Sequence, residues 1–352
     1  MASKVDSFKQ WTLHEQNGTE SLVLGNASLP KKEDIGEYEV LVKLHAASLN
    51  YRDLVIARGA KNLQIKPGVI PGSDGAGVVL EIGKSVTKFQ KGDKVVTHML
   101  PQLSATTYPT MEDISNGLGQ TIDGTLREYG VFSETGLVHM PKNLTFEEAA
   151  TLTCSGLTAW NVLFGGGRKL KKGESVLTQG TGGVSVAALQ FAHAMGATVI
   201  STTSSITKTQ RLSTLGASQT INYIETPSWG SLVKSLSPSS LGITNVVDVG
   251  GLSTLSESMK AVAIEGTVTV TGVLGNDEKE HVGALDVLWR VYSVRGALLG
   301  TREQFGEMCK FIEEKGVRPV VDERVFGLEE TREAFEYLEG QKHFSKVVIK
   351  IC

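Results

Sequence analysis

The 352-residue sequence has only three cysteines, Cys154, Cys309 and Cys352, which lie far apart and form no C-x-x-C pair. This spacing excludes a disulfide framework and a metal site built from cysteines alone. An excess of positive charge is also missing, since 35 Lys and Arg stand against 38 Asp and Glu, for a formal net charge of −3. Proteins that bind nucleic acid carry a basic patch or stripe, so we expect no nucleic-acid partner.

Long apolar runs are absent as well. No run approaches the roughly 18 apolar residues of a membrane-spanning helix, and the first nine residues, MASKVDSFK, are polar. Because this start has no apolar signal region, we expect a cytoplasmic protein without a membrane partner. The composition is that of a globular protein, with 40% hydrophobic and 21% charged residues. The length suffices for two domains with a sizeable core.

The first part of the chain is predicted to be rich in β-structure. Residues 38–45 alternate between apolar and polar side chains, and strand-like segments recur at 77–82 and 93–97 between short glycine turns. The stretch 99–123 is polar, contains proline and glycine and has no period, which predicts a long loop. It either bounds a substrate cleft or is an ordinary surface connection. After Leu144 the pattern changes.

From residue 145 onwards, strands and helices alternate. Thr145 and Glu148 have the spacing of a capping box and predict the start of a helix. The alternation predicts a parallel sheet with helices on both faces. The final elements, two helices and a strand, break this rhythm and are expected to return to the first domain. The predicted boundaries are 1–144, 145–293 and 294–352; the predicted strands of the middle part are 176–178, 198–201, 219–222, 245–249 and 266–270.

A glycine-rich segment, QGTGGVS at 179–185, joins a predicted strand to a predicted helix. Free backbone N–H groups at the positive end of a helix suit a pyrophosphate, and glycine lets phosphate oxygens approach closely. Ser185 stands where the G-x-G-x-x-G pattern has its third glycine, so the match is imperfect. A plain tight turn before a helix is the alternative interpretation.

A carboxylate is missing where sites that prefer NAD usually have one, at the end of the second strand. That strand ends in STTSS at 201–205, Lys208 follows, and the first carboxylate downstream is Glu225. Hydroxyls and a cation accept the 2′-phosphate of NADPH, whereas a carboxylate repels it. The sequence therefore favours NADPH, although a solvated lysine at a helix start is a simpler interpretation of Lys208.

Several motifs occur in order along nearly the whole chain: PGSDGAG at 71–77, GDKV at 92–95, DGTLREY at 123–129, GLTAW at 156–160, the glycine turn, LGA at 215–217 and VDVGG at 247–251. With them the chain resembles the medium-chain dehydrogenase/reductase superfamily, in its zinc-independent quinone oxidoreductase and enoyl reductase branch. The resemblance implies an α/β protein in which a Rossmann domain, a doubly wound parallel sheet, interrupts a β-rich GroES-like catalytic domain. It also implies a cofactor in the cleft between the two domains.

The same resemblance assigns cofactor-binding residues. It places Ser204, Lys208 and Tyr223 around the 2′-phosphate and adenine, and Phe344 and Lys346 in a loop, FSKV, that matches the family's F-G-K-V with Ser345 in place of glycine. Core packing is the alternative for Val273 and Leu274. Family habit suggests a homodimer through the edge of the Rossmann sheet, although monomers occur. The remaining cofactor residues implied are Gly180, Thr181, Gly182, Gly183, Val184, Gly250, Gly272, Val273, Leu274, Leu299, Gly300 and Thr301.

Ligands for a catalytic metal are largely missing. Zinc-bearing relatives bind zinc through Cys, His and Cys, and the matching positions here are Asn50, Ser73 and Cys154. A carboxamide and a hydroxyl are poor zinc ligands, and one cysteine cannot hold the ion. We therefore expect no metal.

Without a metal, the easiest reaction is hydride transfer from NADPH to a quinone or to an α,β-unsaturated carbonyl, because conjugation makes the acceptor electrophilic. Asn50 is the candidate hydrogen-bond donor, and Tyr51 is either a proton donor or a packed phenol. Arg52 would orient phosphate or substrate, and Asp53 would pair with it. The substrate is expected to be small and hydrophobic. Two alternatives remain: a trans-acting enoyl reductase on carrier-bound acyl chains, and an NADPH-binding structural or regulatory protein without useful catalysis.

Overall fold

A computed structural model describes residues 7–59, 63–273 and 282–352. The chain separates into two compact units, one with the segments up to Ser155 and from Thr301 onward, the other with Gly156–Gly300. The sequence places these boundaries earlier, at 144/145 and 293/294. Residues after 144 remain in the first unit because they bond to it, as Thr153 does through its hydroxyl to the Thr97 carbonyl at 2.8 Å.

The described residues form strands in both units. In chain order they are β1 (Ser7–Leu13), β2 (Leu22–Ser28), β3 (Glu39–Ser48), β4 (Asp74–Ile82), β5 (Lys94–Thr97), β6 (Tyr129–Ser133), β7 (Leu137–His139), β8 (Ser175–Gln179), β9 (Thr198–Thr203), β10 (Ala217–Asn222), β11 (Ile243–Asp248), β12 (Val262–Val270), β13 (Ser293–Gly296), β14 (Val321–Gly327) and β15 (Lys346–Lys350).

The helices include the predicted one at Thr145, whose hydroxyl accepts from the Glu148 N–H at 3.3 Å while the Glu148 carboxylate accepts from the Thr145 N–H at 2.8 Å. Among the described residues, no helix has the length and apolar character needed to cross a membrane. The α-helices are α1 (Tyr51–Arg58), α2 (Met111–Ser115), α3 (Phe146–Ala149), α4 (Leu157–Phe164), α5 (Gly183–Met195), α6 (Ile206–Thr214), α7 (Trp229–Leu236), α8 (Leu255–Ala261), α9 (Ala284–Arg290), α10 (Arg302–Lys315) and α11 (Thr331–Glu339).

The first unit is built on a mostly antiparallel sheet of order β14-β15-β3-β4-β5-β7, with β6 also paired to β3. Val40, Val42 and Leu44 of β3 share one buried cluster, as the alternation of the sequence predicts. The late strand β15 pairs antiparallel with β3, so that Val348 lies opposite Ser48. This pairing brings the start of β15 beside the end of β3.

The second unit holds a parallel sheet of order β10-β9-β8-β11-β12-β13. Strand order runs outward in both directions from the neighbours β8 and β11. Because β-α-β crossovers are right-handed, the two halves place their helices on opposite faces. The predicted doubly wound fold is therefore present, and ligands bind such sheets at the carboxyl ends of strands where the order reverses.

The stretch 99–123, predicted as an irregular loop, contains the short helix α2. Met99 and Leu100, the first two residues of this stretch, are buried in the core at 1% and 0% exposure. Tyr108 and Met111 are exposed, and the Tyr108 hydroxyl accepts from the Gln304 amide at 3.1 Å. The loop is thereby attached to the first turn of α10.

Candidate functional site

The glycine turn lies at the carboxyl end of β8, beside the point where the strand order reverses. Gly180 has a left-handed φ of 72°, and a Cβ added at Gly180 or Gly182 would meet no heavy atom within 4 Å. Gly182 precedes α5 without any side-chain cap. The turn thus combines open space with a helix N-terminus whose N–H groups lack a side-chain acceptor, which fits a phosphate. Thr181 completes the turn, and Gly183 and Val184 open the helix.

Ser185 takes the place of the third glycine without loss of close packing. Its side chain is buried, and its hydroxyl donates to the carbonyl oxygen of Gln179 at 2.6 Å. The bond joins the first turn of α5 to the last residue of β8. The imperfect match to the glycine pattern is therefore compatible with a closely packed turn.

Asp248, at the end of β11, fixes the residues beside this turn. One carboxylate oxygen accepts from the Gly251 N–H at 2.8 Å and the Thr254 hydroxyl at 2.9 Å. The other accepts from the Ser258 hydroxyl at 2.6 Å and the Gln179 side chain at 3.3 Å. Since Gln179 directly precedes Gly180, the carboxylate connects the ends of β8 and β11. A buried carboxylate is tolerated when it is bonded in this way.

Asp248→Ala is expected to lower the free energy of unfolding by about 2–4 kcal/mol, because four donors, three of them on buried residues, lose this acceptor. Denaturant unfolding of the isolated protein measures the loss. Asp248→Asn, which keeps one oxygen and the side-chain volume, is the matched control and should lose less. Two variants as stable as the unchanged protein would show that the network does not hold the turn.

The residues predicted to bind the 2′-phosphate gather at the ends of β9 and β10. Ser204 is exposed directly after β9, and the Tyr223 N–H donates to the Thr203 carbonyl at 3.0 Å. Lys208 is the third residue of α6, whose first turn has no acidic residue and no side-chain cap. A cation in the first turn opposes the helix dipole, so its presence there suits an anion bound at the same helix end.

The remaining residues that the resemblance implies for the cofactor are distributed over several segments. Gly272 follows β12, where a Cβ would come within 2.4 Å of the Val249 carbonyl, and Val273 beside it is 74% exposed. Leu299 has a left-handed φ of 47°, and its carbonyl accepts from the Asn161 amide at 2.9 Å. Gly300 is buried, Thr301 caps α10 in the first unit, Gly250 would clash with Thr254 if it carried a Cβ, and Leu274 lies outside the described residues.

The candidate catalytic residues begin α1, directly after β3. Asn50 is 7% exposed and precedes the helix, and its backbone N–H donates to the Asp53 carboxylate at 2.8 Å. The Asn50 side-chain oxygen accepts from the Ser155 hydroxyl at 3.3 Å and from the Lys346 ammonium. Its side-chain nitrogen Nδ2 is buried and has no partner among the described residues. Tyr51, by contrast, is 46% exposed.

Lys346 is the unexpected member of this site. The sequence assigns it to the cofactor loop, whereas the structure buries it at 4% exposure with its ammonium on three oxygen atoms of the first unit. The ammonium donates to the Leu49 carbonyl at 2.8 Å, to the Asn50 side-chain oxygen, and to Asp74 at 3.4 Å. Phe344, two residues earlier, is buried at 2% exposure.

The Asp74 carboxylate lies against several other polar groups of the site. It is fully buried and accepts from the Ser48 hydroxyl at 3.1 Å and the Ser73 hydroxyl at 2.8 Å. The Cys154 N–H approaches the same carboxylate at 3.4 Å. Desolvation, with a further contribution from the Asp74 charge, raises the pKa of the Cys154 thiol to about 12. The residues at the three positions of zinc ligands, Asn50, Ser73 and Cys154, thus all lie next to Asp74 or Lys346.

Arg52 and Asp53 lie together as the sequence suggests. An Arg52 guanidinium nitrogen donates to the Leu118 carbonyl at 3.1 Å and lies 3.5 Å from the Asp53 carboxylate. Burial raises the pKa of Asp53 to about 6, and Asp74 adds to the rise. Arg52, the Asn50 backbone N–H and Lys346 act in the opposite direction. The carboxyl therefore takes up a proton at a higher pH than an exposed aspartate.

Stability is expected to depend on pH through Asp53. Because the pKa rises from 3.8 to about 6 on folding, the native state binds more protons than the unfolded state between these values. The contribution is fully present below about pH 4 and is lost as pH rises through about 6. A shift of this size corresponds to roughly 3 kcal/mol. Denaturant unfolding of the unchanged protein and Asp53→Asn from pH 4 to 7 measures the effect, and a pH-independent difference between them would contradict it.

Zinc does not fit this set of residues. The matched side chains are an amide, a hydroxyl and a thiol with a raised pKa, and the Lys346 ammonium lies against the amide oxygen. Within residues 7–59, 63–273 and 282–352, no three His, Cys, Asp or Glu side chains are grouped so as to hold a metal ion. A divalent cation beside Asn50 would meet the positive charge of the lysine, which repels it.

Comparisons with known proteins identify both parts of the chain. The family "Alcohol dehydrogenase GroES-like domain" matches residues 36–142, and "Zinc-binding dehydrogenase" matches residues 183–314. A zinc-type alcohol dehydrogenase-like protein of Schizosaccharomyces pombe is 41% identical over 97% of this chain and 99% of its own length. A solved NAD-dependent alcohol dehydrogenase shares 32% identity with a TM-score of 0.85, covering 98% of this chain and 100% of that one.

Two further relatives carry other names. Quinone oxidoreductase of Mus musculus is 27% identical, over 89% of each chain. An acryloyl-coenzyme A reductase of Sulfurisphaera tokodaii is 26% identical, over 90% of this chain and 93% of its own. The domain matches agree with the β-rich first unit and the parallel sheet of the second. The chain belongs to the medium-chain dehydrogenase/reductase superfamily of oxidoreductases, with a GroES-like domain and a Rossmann domain for a nicotinamide cofactor.

Proposed function

We propose that this chain is an NADPH-dependent, zinc-independent reductase that transfers hydride to a quinone or an α,β-unsaturated carbonyl. The observation that carries the proposal is the Asn50 amide. Its oxygen accepts from Lys346 and Ser155, while its buried nitrogen has no partner among the described residues. A buried donor without an acceptor is costly. A substrate oxygen that gains negative charge during the reaction would be a suitable acceptor.

The choice of substrate follows from the charge that the site can stabilise. Oxidation of a simple alcohol benefits from a Lewis acid that lowers the pKa of the alcohol, and the residues at the zinc-matched positions do not fit zinc. Reduction of a conjugated acceptor needs a hydrogen-bond donor for the developing enolate or phenolate and a proton. Asn50 supplies the donor, and half-buried Arg52, whose buried nitrogen Nη2 has no partner among the described residues, adds positive charge.

The proposal of NADPH rests on the second unit. The glycine turn would accept the pyrophosphate, and Ser204 with Lys208 would accept the 2′-phosphate, because hydroxyl and ammonium groups donate to a dianion. When bound, the cofactor supplies the hydride. No carboxylate stands at 201–205, the position where an NAD site usually grips the ribose.

Tyr51 is the proposed proton donor. It is the first residue of α1, adjacent in sequence to Asn50, and is exposed enough to exchange protons with water. A phenol within hydrogen-bond reach of the product could deliver the proton that completes the reduction. Unchanged turnover of Tyr51→Phe on every accepted substrate would leave water as the proton source.

A second candidate is an enoyl reductase that acts on an acyl thioester. It is favoured by the acryloyl-coenzyme A reductase among the relatives, whose name specifies a conjugated thioester. Such a substrate presents the same carbonyl oxygen to Asn50. A third possibility, a protein that binds NADPH without useful catalysis, keeps the same cofactor residues.

One screen separates these possibilities. NADPH consumption is followed over quinones, enones, free and carrier-bound enoyl thioesters, with NADH in place of NADPH as the control and alcohols tested in the reverse direction. We expect turnover with quinones or enones, preference for NADPH and no effect of a chelator. Turnover of thioesters alone would favour the second candidate. NADPH binding without any turnover would favour the third. Turnover confined to alcohols, with one zinc per chain by metal analysis, would overturn the proposal.

A homodimer is proposed through the β13 edge of the second unit. β13 ends the described sheet, and its Val294 is 41% exposed. Ile264 on neighbouring β12 and Leu288 and Trp289 on α9 are 71%, 62% and 75% exposed. An unpaired strand edge beside exposed apolar side chains is suited to pairing with a second copy.

Trp289→Asp is expected to convert the dimer into a monomer at micromolar concentration, because a charge replaces a large apolar contact at the proposed interface. Light scattering after size-exclusion chromatography measures the mass. Tyr38→Asp changes an exposed aromatic side chain, 59%, of the first unit and should leave the dimer intact. A monomeric unchanged protein would refute the proposed dimer.

A further inference from the structure

The buried ammonium of Lys346 has the surroundings of a bound cation. Its three contacts are oxygen atoms, of which one belongs to a carboxylate and two are neutral: Asp74, the Leu49 carbonyl and the Asn50 amide. A charge at 4% exposure is stable only when it is paired and hydrogen-bonded. The cluster supplies both, since Asp74 provides the opposite charge and the neutral oxygens complete the set of acceptors.

The same cluster contains the three positions that match zinc ligands. Asn50 contacts the ammonium directly. Ser73 and Cys154 contact Asp74, the carboxylate that pairs with it. We propose that the Lys346 ammonium takes the place of a catalytic metal ion: it keeps metal out of a pocket that otherwise retains the ligand positions, and it holds Asn50 by its oxygen so that the amide N–H remains available as the donor. The role of that donor rests on the proposed function.

The backbone around Lys346 is held from both sides. The Phe344 N–H donates to the buried Asp322 carboxylate at 2.7 Å, and the Val347 carbonyl accepts from the Leu49 N–H at 2.9 Å. Ser345 between them adopts a left-handed φ of 67°, a conformation that is strained for a residue with a Cβ. Such strain persists where the surroundings impose it. The two flanking hydrogen bonds impose it here and direct the lysine side chain to Asn50.

A lysine differs from zinc in what it can do for a substrate. Its ammonium carries one positive charge and offers hydrogen bonds but no vacant coordination position. It therefore cannot bind an alkoxide as a Lewis acid. It can stabilise, together with the Asn50 N–H, a negative charge that develops on a nearby oxygen. An ammonium group in place of a metal ion is therefore consistent with the reduction of a conjugated acceptor.

Cobalt(II) binding tests the inference without any substrate. Asn50→Cys with Ser73→His restores the ligand types Cys, His and Cys together with Cys154, and adding Lys346→Met removes the ammonium while keeping side-chain length. Thiolate-to-cobalt absorption reports the metal. We expect the triple variant to bind Co²⁺ at least tenfold more tightly than the double variant, and the unchanged protein and Lys346→Met alone to bind none at this site.

Equal affinity of the double and triple variants would overturn the inference, because the ammonium would then not exclude the metal. Absence of binding by both would overturn it as well, because the ligand positions would not be retained. Since no turnover is measured, these outcomes are independent of the substrate screen. Failure of the proposed reductase activity with a positive cobalt result would separate the two proposals.

If the triple variant does not fold, a double-mutant cycle tests whether Lys346 holds Asn50. Asn50→Ala, Lys346→Met and the pair are compared by urea unfolding. We expect the effect of Lys346→Met on the unfolding equilibrium constant to differ at least fivefold between the Asn50 and Asn50→Ala backgrounds, because the two side chains contact each other. Additive effects would show that Lys346 does not hold Asn50.

Discussion

Asn50→Ala is expected to lower kcat by roughly 100- to 1000-fold on any quinone or enone that the protein reduces, the range found when one preorganised donor to a developing oxyanion is removed. The physical reason is the orientation of the amide. Lys346 and Ser155 donate to its oxygen, so its nitrogen is left as a donor. Because this donor acts mainly on the charge that develops in the transition state, kcat and kcat/KM should fall together.

Asn50→Asp tests the amide N–H more specifically than Asn50→Ala does. It keeps an oxygen for Lys346 and removes the N–H, so it should lose as much activity as Asn50→Ala. Ser155→Ala removes only one partner of the amide oxygen and should lose less. Steady-state kinetics gives kcat and KM, and quenching of protein fluorescence gives the affinity for NADPH, which should stay within about threefold. Full activity of Asn50→Asp would show that the amide N–H is not the donor.

Ser204→Asp combined with Lys208→Ala is expected to reverse the choice of cofactor. The carboxylate would repel the 2′-phosphate and accept from a ribose hydroxyl, while loss of the lysine removes a charge-assisted hydrogen bond. Together these changes should lower the ratio of kcat/KM for NADPH over NADH by roughly 100- to 1000-fold, with each charged contact contributing about 1.5–3 kcal/mol.

Initial rates with both cofactors at a fixed substrate concentration measure this ratio. Lys234→Ala removes an exposed lysine elsewhere in the same unit, on α7, and should leave the ratio unchanged. A ratio that the double variant does not alter would remove Ser204 and Lys208 from the 2′-phosphate site. The same measurement on the unchanged protein shows whether it differs from its NAD-dependent relative.

Local patterns were sufficient to predict the second unit. The alternation of strands and helices is a property of neighbouring residues, and the parallel sheet confirms the fold that it implies. The glycine turn and the missing acid after β9 are equally local, and the NADPH site inferred from them stays a prediction. The boundaries of the domains were harder to predict from the sequence. β13 has only four residues, three of them exposed and the fourth partly exposed, and therefore carries little of the apolar signal of a buried strand.

The contacts among the candidate catalytic residues could not be predicted from local patterns. Lys346 and Asn50 are separated by 296 positions, and their contact depends on the pairing of β15 with β3. The family pattern identified the lysine but not its partner. Asp74 and Asp248 belong to the motifs PGSDGAG and VDVGG. Only the structure shows that each carboxylate accepts hydrogen bonds from several donors.

The position of β15 in the sheet has a consequence for biosynthesis. Asn50 and Asp74 emerge from the ribosome early, whereas Lys346 follows the whole of Gly156–Gly300, which can already fold as a unit of its own. Until β15 pairs with β3, the Asp74 carboxylate has no lysine counter-ion, and residues 46–48 of β3 lack a partner strand on the side away from β4. Nascent chains stalled before residue 346 should therefore hold a folded nucleotide-binding domain beside an unfinished catalytic one, the stage at which chaperones would have most to protect.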